Sequence, residues 1–179
     1  STGEPFSDAA YLPLSALSET VAQYVKVALA GEGADELFGG YRRYDVERLI
    51  ASRWLGTSAR AIGRLAALDR RIPYPSTQRD RSLHASALHD PADRHAALMF
   101  ANWAIVRKSF RNGDDAHDAY LRRWSACASD PWALGQPPNR AYDTREWLPN
   151  VFLEKSDRAS MHHSLELRTP YLDPVVARA

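Results

Sequence analysis

Residues 25–41 read VKVALAGEGADELFGGY, and the character of the chain changes twice within them. The apolar, β-branched start, residues 25–29, is typical of a short buried strand. Residues 30–33 are rich in glycine and indicate a tight turn, and Asp35 then opens a helical stretch with acidic residues where the helix dipole favours them. A strand, a glycine-rich turn and a helix in this order predict an α/β site.

The turn carries residue types that suit phosphate chemistry. Gly31 and Gly33 allow close backbone approach, so successive N–H groups would form a concavity for an anion. Glu32 and Asp35 beside such a cradle make sense if Mg²⁺ bridges carboxylate and phosphate oxygens. Glu36 is better explained as a helix-start residue, because adjacent helical side chains diverge. An ordinary turn before a helix fits the same spacing, so both interpretations stay open at this point.

A second dense stretch, residues 153–173, reads LEKSDRASMHHSLELRTPYLD. The pattern predicts a helix with Ser156 or Asp157 as its N-cap, Met161 and Leu165 on its apolar face, and an end forced by Pro170. Taken alone, its crowded charges are typical of a solvated, salt-bridged face.

The remainder of the chain is predicted to be mostly helical. Residues 16–22 are compatible with a helix, and apolar periodicity predicts four further helices over residues 46–54, 59–68, 92–110 and 115–128. Breakers at residues 73–75 and 130–139 separate them. Only the strand at residues 25–29 is convincing. Its sheet partners must therefore come from outside these residues, from another chain, or from a strand that the pattern does not reveal.

Composition excludes several classes of protein. The 179 residues, 45% of them hydrophobic, suffice for one domain core. A net charge of +1 without a basic stripe argues against a nucleic-acid partner. No apolar run reaches the roughly 20 residues of a membrane span, and the start has no signal-peptide pattern, so we expect a cytoplasmic protein.

Isolated candidate residues favour structural roles. Cys127 is the only cysteine, so no intrachain disulfide is possible, and a small packed side chain is the expected role. His162 and His163 are neighbours on a predicted helix and cannot chelate one metal together. Lys155 is expected to be a solvated lysine.

Two motifs together resemble the synthetase domain of glutamine-dependent asparagine synthetases. The first lies at residues 31–41, and the second at residues 157–161 followed by residues 165–173. The resemblance implies a parallel-sheet, ATP-pyrophosphatase-type nucleotide-binding α/β fold, of which residues 1–179 form a part. Residues 1–44 would then carry the strand, turn and helix of the nucleotide site, residues 45–140 a helical region, and residues 141–179 the C-terminal signature.

The resemblance also implies an activity. In the family, ATP and Mg²⁺ activate the carboxylate of aspartate as an acyl-adenylate, and ammonia from a glutaminase domain converts it into asparagine. Asp35 would help to hold Mg²⁺ and pyrophosphate, and Glu32 would lie beside the reacting acyl centre. Gly31 and Gly33 would lie against the nucleotide. A homodimer is a further possibility of this resemblance.

Departures from the family pattern keep alternatives open. The family's Ser-Gly-Gly-x-Asp-Ser phosphate loop and catalytic amino-terminal cysteine do not occur in these residues, and its lysine after the signature would fall beyond Ala179. No arginine for the aspartate substrate stands in residues 5–13, so the acyl substrate stays open. A ring-closing or other amide-forming relative and a truncated, non-catalytic domain are the rivals. Glu32 favours ammonia-dependent synthesis, and the isolated chain is expected to be inactive.

Overall fold

The computed structural model describes residues 8–52, 56–58, 61, 63, 78–99, 109, 111–130 and 135–177, and most of them are helical, as predicted. The α-helices are α1 Tyr11–Val21, α2 Ala34–Phe38, α3 Arg42–Ala51, α4 Gln78–Ala87, α5 Pro91–Met99, α6 Gly113–Ser129, α7 Pro138–Tyr142, α8 Glu154–Met161 and α9 Pro174–Ala177. The strands are β1 Val27–Leu29 and β2 Glu166–Arg168, a π-helix spans Asp143–Leu153, and a 3₁₀ turn spans Pro170–Leu172.

The chain divides into two compact units. The first joins residues 1–39 to residues 143–179, and the second comprises residues 40–142. The first unit contains both strands and the glycine-rich turn. The second contains helices and no strand among its described residues.

The sheet of the first unit is a parallel pair. β1 and β2 pair with Val27 opposite Glu166, Ala28 opposite Leu167 and Leu29 opposite Arg168. The partner of β1 is therefore a strand that the pattern does not reveal, one of the three possibilities left open, and it is formed by residues that the pattern assigned to a helix. The expected burial of β1 is wrong within the described structure, since the Val27 and Leu29 side chains are 39% and 75% exposed. In larger parallel sheets, helices cover both faces, whereas this pair of strands is partly exposed within the described structure.

The helix before β2 ends earlier than the pattern predicts. α8 stops at Met161, and Ser164 adopts the left-handed conformation with φ 57°. The Leu165 N–H then bonds to the Ser160 carbonyl at 3.1 Å, which satisfies one end of the helix backbone. Leu165 is buried, as a core position should be, but Met161 is 53% exposed. Glycine normally marks such a helix end, and its absence explains the wrong boundary.

A π-helix leads directly into α8 and displaces the predicted N-cap. α8 begins at Glu154 with Leu153 at its cap, so neither Ser156 nor Asp157 caps it. Pro149 lies inside the π-helix and has no N–H to donate. The Asn150 side chain donates to the Glu146 carbonyl at 2.8 Å, where an α-helix would place the backbone N–H of residue 150. The side chain thus supplies a hydrogen bond that the wider backbone spacing does not make.

Aromatic rings fill the core of the second unit. His95, Tyr120, Trp124 and Tyr142 are all buried, with ring centroids 5.0–6.4 Å apart. The Tyr120 hydroxyl lies 2.8 Å from His95 Nδ1 and donates to the Ala92 carbonyl at 3.2 Å. Cys127 is 2% exposed in the same cluster, which confirms its predicted packing role.

The remaining helix predictions are confirmed in part, and some of them fall on residues that the structure does not describe. Residues 16–22 and 115–128 fall within α1 and α6, apart from Ala22, which directly follows α1. The prediction over residues 46–54 overlaps α3, and that over residues 92–110 overlaps α5 as far as Met99. Three parts of these predictions lie outside the described residues, namely residues 100–108 and 110, most of residues 59–68, and the breaker at residues 73–75.

Candidate functional site

The glycine-rich turn leaves the carboxyl end of β1 and packs against residues that follow β2. The Ala30 N–H donates to the Arg168 carbonyl at 2.8 Å, which extends the strand pairing into the start of the turn. Gly33 has φ 90°, and a Cβ added there would lie 2.3 Å from Leu172 Cδ2. The backbone conformation therefore favours glycine at position 33, and the Leu172 side chain would have to shift to admit any larger residue.

Glu32 contacts the residue that directly precedes the second motif. The Ser156 hydroxyl donates a hydrogen bond to Glu32 Oε1 across 124 positions of sequence. Ser156 is 4% exposed, whereas Glu32 is partly exposed at the turn. The sequence pattern indicates Ser156 only as a possible helix cap, and no spacing rule connects a helical serine with a turn so distant in the chain.

The other predicted site residues differ in exposure. Gly31 is exposed, and a Cβ added there would meet no atom within 4 Å, so the described structure gives no packing reason for glycine. Asp35 is exposed in the first turn of α2. Glu36, its neighbour in that turn, is 1% exposed. The two adjacent carboxylates therefore point in different directions, as helix geometry requires.

Aromatic contact joins the motifs a second time. The Phe38 ring at the end of α2 meets the Tyr171 ring edge-on, with centroids 5.8 Å apart. Gly33 and Phe38 of the first motif thus contact the second motif, and Glu32 contacts Ser156, which directly precedes it. Both rings remain substantially exposed, at 60% and 40%.

Lys155, the residue before Ser156, forms an ion pair with Asp8. Its Nζ lies 3.1 Å from Asp8 Oδ2 and 4.9 Å from the centre of the Phe152 ring. The prediction of a solvated lysine is wrong, because Lys155 is only 9% exposed. Burial by itself would raise the pKa of Asp8, but the Ala10 N–H and the hydrogen bond and charge of Lys155 outweigh it and lower that pKa below its ordinary value.

A further contact fixes α1 beside α8. The Ser15 hydroxyl lies 2.9 Å from His163 Nε2, just beyond the end of α8. His162 and His163 stand with their rings perpendicular and 5.0 Å apart. Within the described residues, no group of three or more His, Cys, Asp or Glu side chains is placed to hold a metal. A cation at this site would therefore need ligands beyond this set, such as phosphate oxygens and water.

Comparison with known proteins decides the family. The family model described as asparagine synthase matches residues 1–179. The chain belongs to the asparagine synthase family. No solved structure matches it. Among the described helices, none is long and apolar enough to cross a membrane.

Two curated bacterial relatives illustrate the membership. A Mycobacterium tuberculosis protein, provisionally named as a glutamine-hydrolyzing asparagine synthetase, is 33% identical over 180 residues, which cover 97% of this chain and 26% of that protein. Asparagine synthetase (glutamine-hydrolyzing) 1 of Bacillus subtilis is 28% identical over 176 residues, which cover 97% of this chain and 27% of that protein. This asparagine synthase family chain thus spans about a quarter of the length of these relatives.

Proposed function

We propose that the chain is part of an ATP-dependent ligase that adenylates aspartate and transfers glutamine-derived ammonia to it, giving asparagine. The family membership supports an asparagine-forming amidotransferase. The finer steps, adenylation of aspartate and the use of Mg²⁺, belong to the proposal. We also propose an ATP-pyrophosphatase-type parallel sheet, a glutaminase domain elsewhere in the protein, and a cytoplasmic enzyme that forms a homodimer.

One observation carries this proposal, namely the meeting of the two motifs at one end of the parallel strands. Gly33 follows the end of β1 by four residues and contacts Leu172, which follows the end of β2 by four residues. Parallel strands direct their carboxyl ends to the same edge, and ligands of open α/β sheets bind outside that edge. In the proposed parallel-sheet fold, the turn and the signature segment would lie at the edge where such folds bind nucleotides.

Each turn residue has a role in the proposed reaction. Gly31, with open space where a side chain would be, would let the nucleotide approach the backbone. Glu32, held by Ser156, would lie beside the acyl centre and orient the attacking ammonia. Both roles require that Gly31 and Glu32 are already in position before the substrate binds. Polar groups that are preorganised in this way accelerate acyl transfer.

Asp35 suits a shared metal site better than a protein-only one. It is a single exposed carboxylate in the first turn of α2. Mg²⁺ is commonly held by one or two protein carboxylates together with substrate phosphates and water. Asp35 fits that donor set, and the ion it would help to hold would neutralise charge on the departing pyrophosphate.

A product assay tests the proposed function. The full-length protein is incubated with ATP, Mg²⁺ and aspartate, with either glutamine or ammonium as the nitrogen source, and amino-acid products are separated by chromatography. We expect asparagine to form with both nitrogen sources and to require ATP and aspartate. Failure to form asparagine with ammonium, in a folded preparation that binds ATP, would refute the proposal.

A further inference from the structure

Ser156 differs from the other buried serine of its helix in where its hydroxyl points. Ser160, one turn later in α8, is 0% exposed and donates to the Asp157 carbonyl of its own helix at 3.3 Å. Helical serines commonly bond to their own backbone in this way. Ser156 donates out of its helix to Glu32.

Ser156, the donor of this hydrogen bond, lies on α8, which packs against several other elements. α8 packs against α1, the π-helix and β2, and the Lys155–Asp8 pair anchors the residue next to Ser156. Glu32 lies in a short turn between β1 and α2 and carries a long side chain with several rotatable bonds. A group on a packed helix holds a turn residue in place, since precise sites depend on support from rigid elements.

The hydrogen bond also leaves half of the carboxylate available. Glu32 Oε1 accepts from Ser156, and no donor to Oε2 is recorded within the described part of the chain. A carboxylate fixed through one oxygen presents the other in a defined direction. Such a group can accept a proton or a hydrogen bond from a substrate without first losing rotational freedom.

We propose that Ser156 is a positioning residue, which orients Glu32 for the amide-forming step. This inference rests on the proposed function for the role of Glu32, but the hydrogen bond itself does not. Ser156 acts through Glu32 and has no assigned contact with substrate. Its removal should therefore reduce turnover and leave the binding of ATP nearly unchanged.

Kinetics on the full-length protein separate positioning from general support. We expect Ser156→Ala to lower kcat for asparagine formation about tenfold, equivalent to about 1.4 kcal/mol, with KM for ATP changed less than about twofold. Ser160→Ala, which removes a buried hydroxyl from the same helix, should retain wild-type kcat. In a Glu32→Gln background, Ser156→Ala should have less than about a twofold effect, because coupled residues are not additive.

Two kinetic outcomes would overturn the positioning role. One is an equal loss for Ser156→Ala and Ser160→Ala, which would indicate a structural effect common to buried serines of α8. The other is a full tenfold loss for Ser156→Ala in both the wild-type and the Glu32→Gln backgrounds. A wild-type protein that makes no asparagine would overturn the proposed function and, with it, the catalytic consequence of the contact.

Crystallography provides a readout that does not depend on activity. Structures of the full-length wild type and of Ser156→Ala are compared at a resolution that defines side-chain rotamers. We expect a single Glu32 carboxylate orientation, bonded to Ser156, in the wild type, and a rotated or multiple orientation in the variant. An unchanged Glu32 carboxylate in Ser156→Ala, or a wild-type structure without the hydrogen bond, would overturn the proposal whatever reaction the protein catalyses.

Discussion

The Ser156 hydroxyl is hydrogen-bonded to the Glu32 carboxylate, and this contact joins two residues that lie 124 positions apart in the sequence. Leu172 packs where a side chain at Gly33 would be, and Tyr171 meets Phe38 edge-on. The signature segment thus forms one wall behind the glycine-rich turn.

Replacement by alanine should affect stability differently at the two glycines of the turn. Gly33→Ala should lower the free energy of unfolding by about 1–3 kcal/mol, because a Cβ is strained at φ 90° and meets Leu172. Gly31→Ala should change it by less than about 0.5 kcal/mol, since its Cβ would lie in open space. Urea unfolding of both variants measures the difference. Equal destabilisation by the two substitutions would contradict the turn geometry.

Gly31→Ala should nevertheless impair the enzyme. If the nucleotide approaches the backbone at position 31, the added methyl group should raise KM for ATP several-fold while the protein stays as stable as the wild type. Steady-state kinetics with varied ATP measures this effect. A wild-type KM for ATP would separate Gly31 from the nucleotide site.

The pair of Asp8 and Lys155 should make stability depend on pH. The lowered pKa of Asp8 means that its carboxylate contributes stability above the unfolded-state pKa of about 4, and that this contribution is lost as the pH falls through the lower folded-state pKa. Asp8→Asn should therefore be less stable than the wild type at pH 7, by about 1 kcal/mol.

Thermal unfolding from pH 7 to pH 3 measures the comparison. The difference between wild type and Asp8→Asn should shrink as the pH falls below about 4. The exposed Asp45→Asn serves as a control that should show little difference at any pH. A constant difference for Asp8→Asn across this range would show that the carboxylate charge does not stabilise the fold.

Two acidic residues of α3 should differ in their contribution to the second unit. Glu47 pairs with Arg94, and the two side chains are 15% and 9% exposed, whereas Asp45 and Arg48 are 66% and 82% exposed. Arg94 also donates to the His89 carbonyl at 2.6 Å. Glu47→Gln should cost roughly 2–3 kcal/mol, because it leaves the Arg94 charge buried without a counter-charge.

Asp45→Asn, two residues away on the same helix, should cost less than about 1 kcal/mol. Chemical denaturation of the two variants under identical conditions gives both values. Comparable costs would mean that burial of the Glu47–Arg94 pair does not determine its contribution.

The helical character of the chain was predictable, but the second strand was not. β2 contains only Glu166, Leu167 and Arg168, so its polar ends give no apolar alternation, and its pairing with β1 is a contact between distant residues. Ser164 adopts a left-handed conformation without the glycine that usually signals it. Tertiary contacts, which a local pattern does not contain, fix both features.

The site was predictable to a similar extent. The glycine-rich turn and the first helical turn at Asp35 follow from local rules of backbone freedom and helix dipoles. Ser156 as a partner of Glu32, and the burial of Lys155 beside Asp8, depend on how α8 packs against the remainder of the first unit. No spacing within residues 153–173 indicates those partners.

The central claim is that the turn from Gly31 to Asp35 belongs to an adenylating site that uses aspartate. Aspartate-dependent exchange of labelled pyrophosphate into ATP tests it most directly, in the full-length wild type, in Asp35→Asn and in Asp45→Asn. Asp35 and Asp45 are both exposed aspartates in the first turn of a helix, so the second variant controls for loss of such a charge. We predict exchange in the wild type and in Asp45→Asn, and a loss on the order of a hundredfold or more in Asp35→Asn. Wild-type exchange in Asp35→Asn, at both saturating and limiting Mg²⁺, would contradict the account.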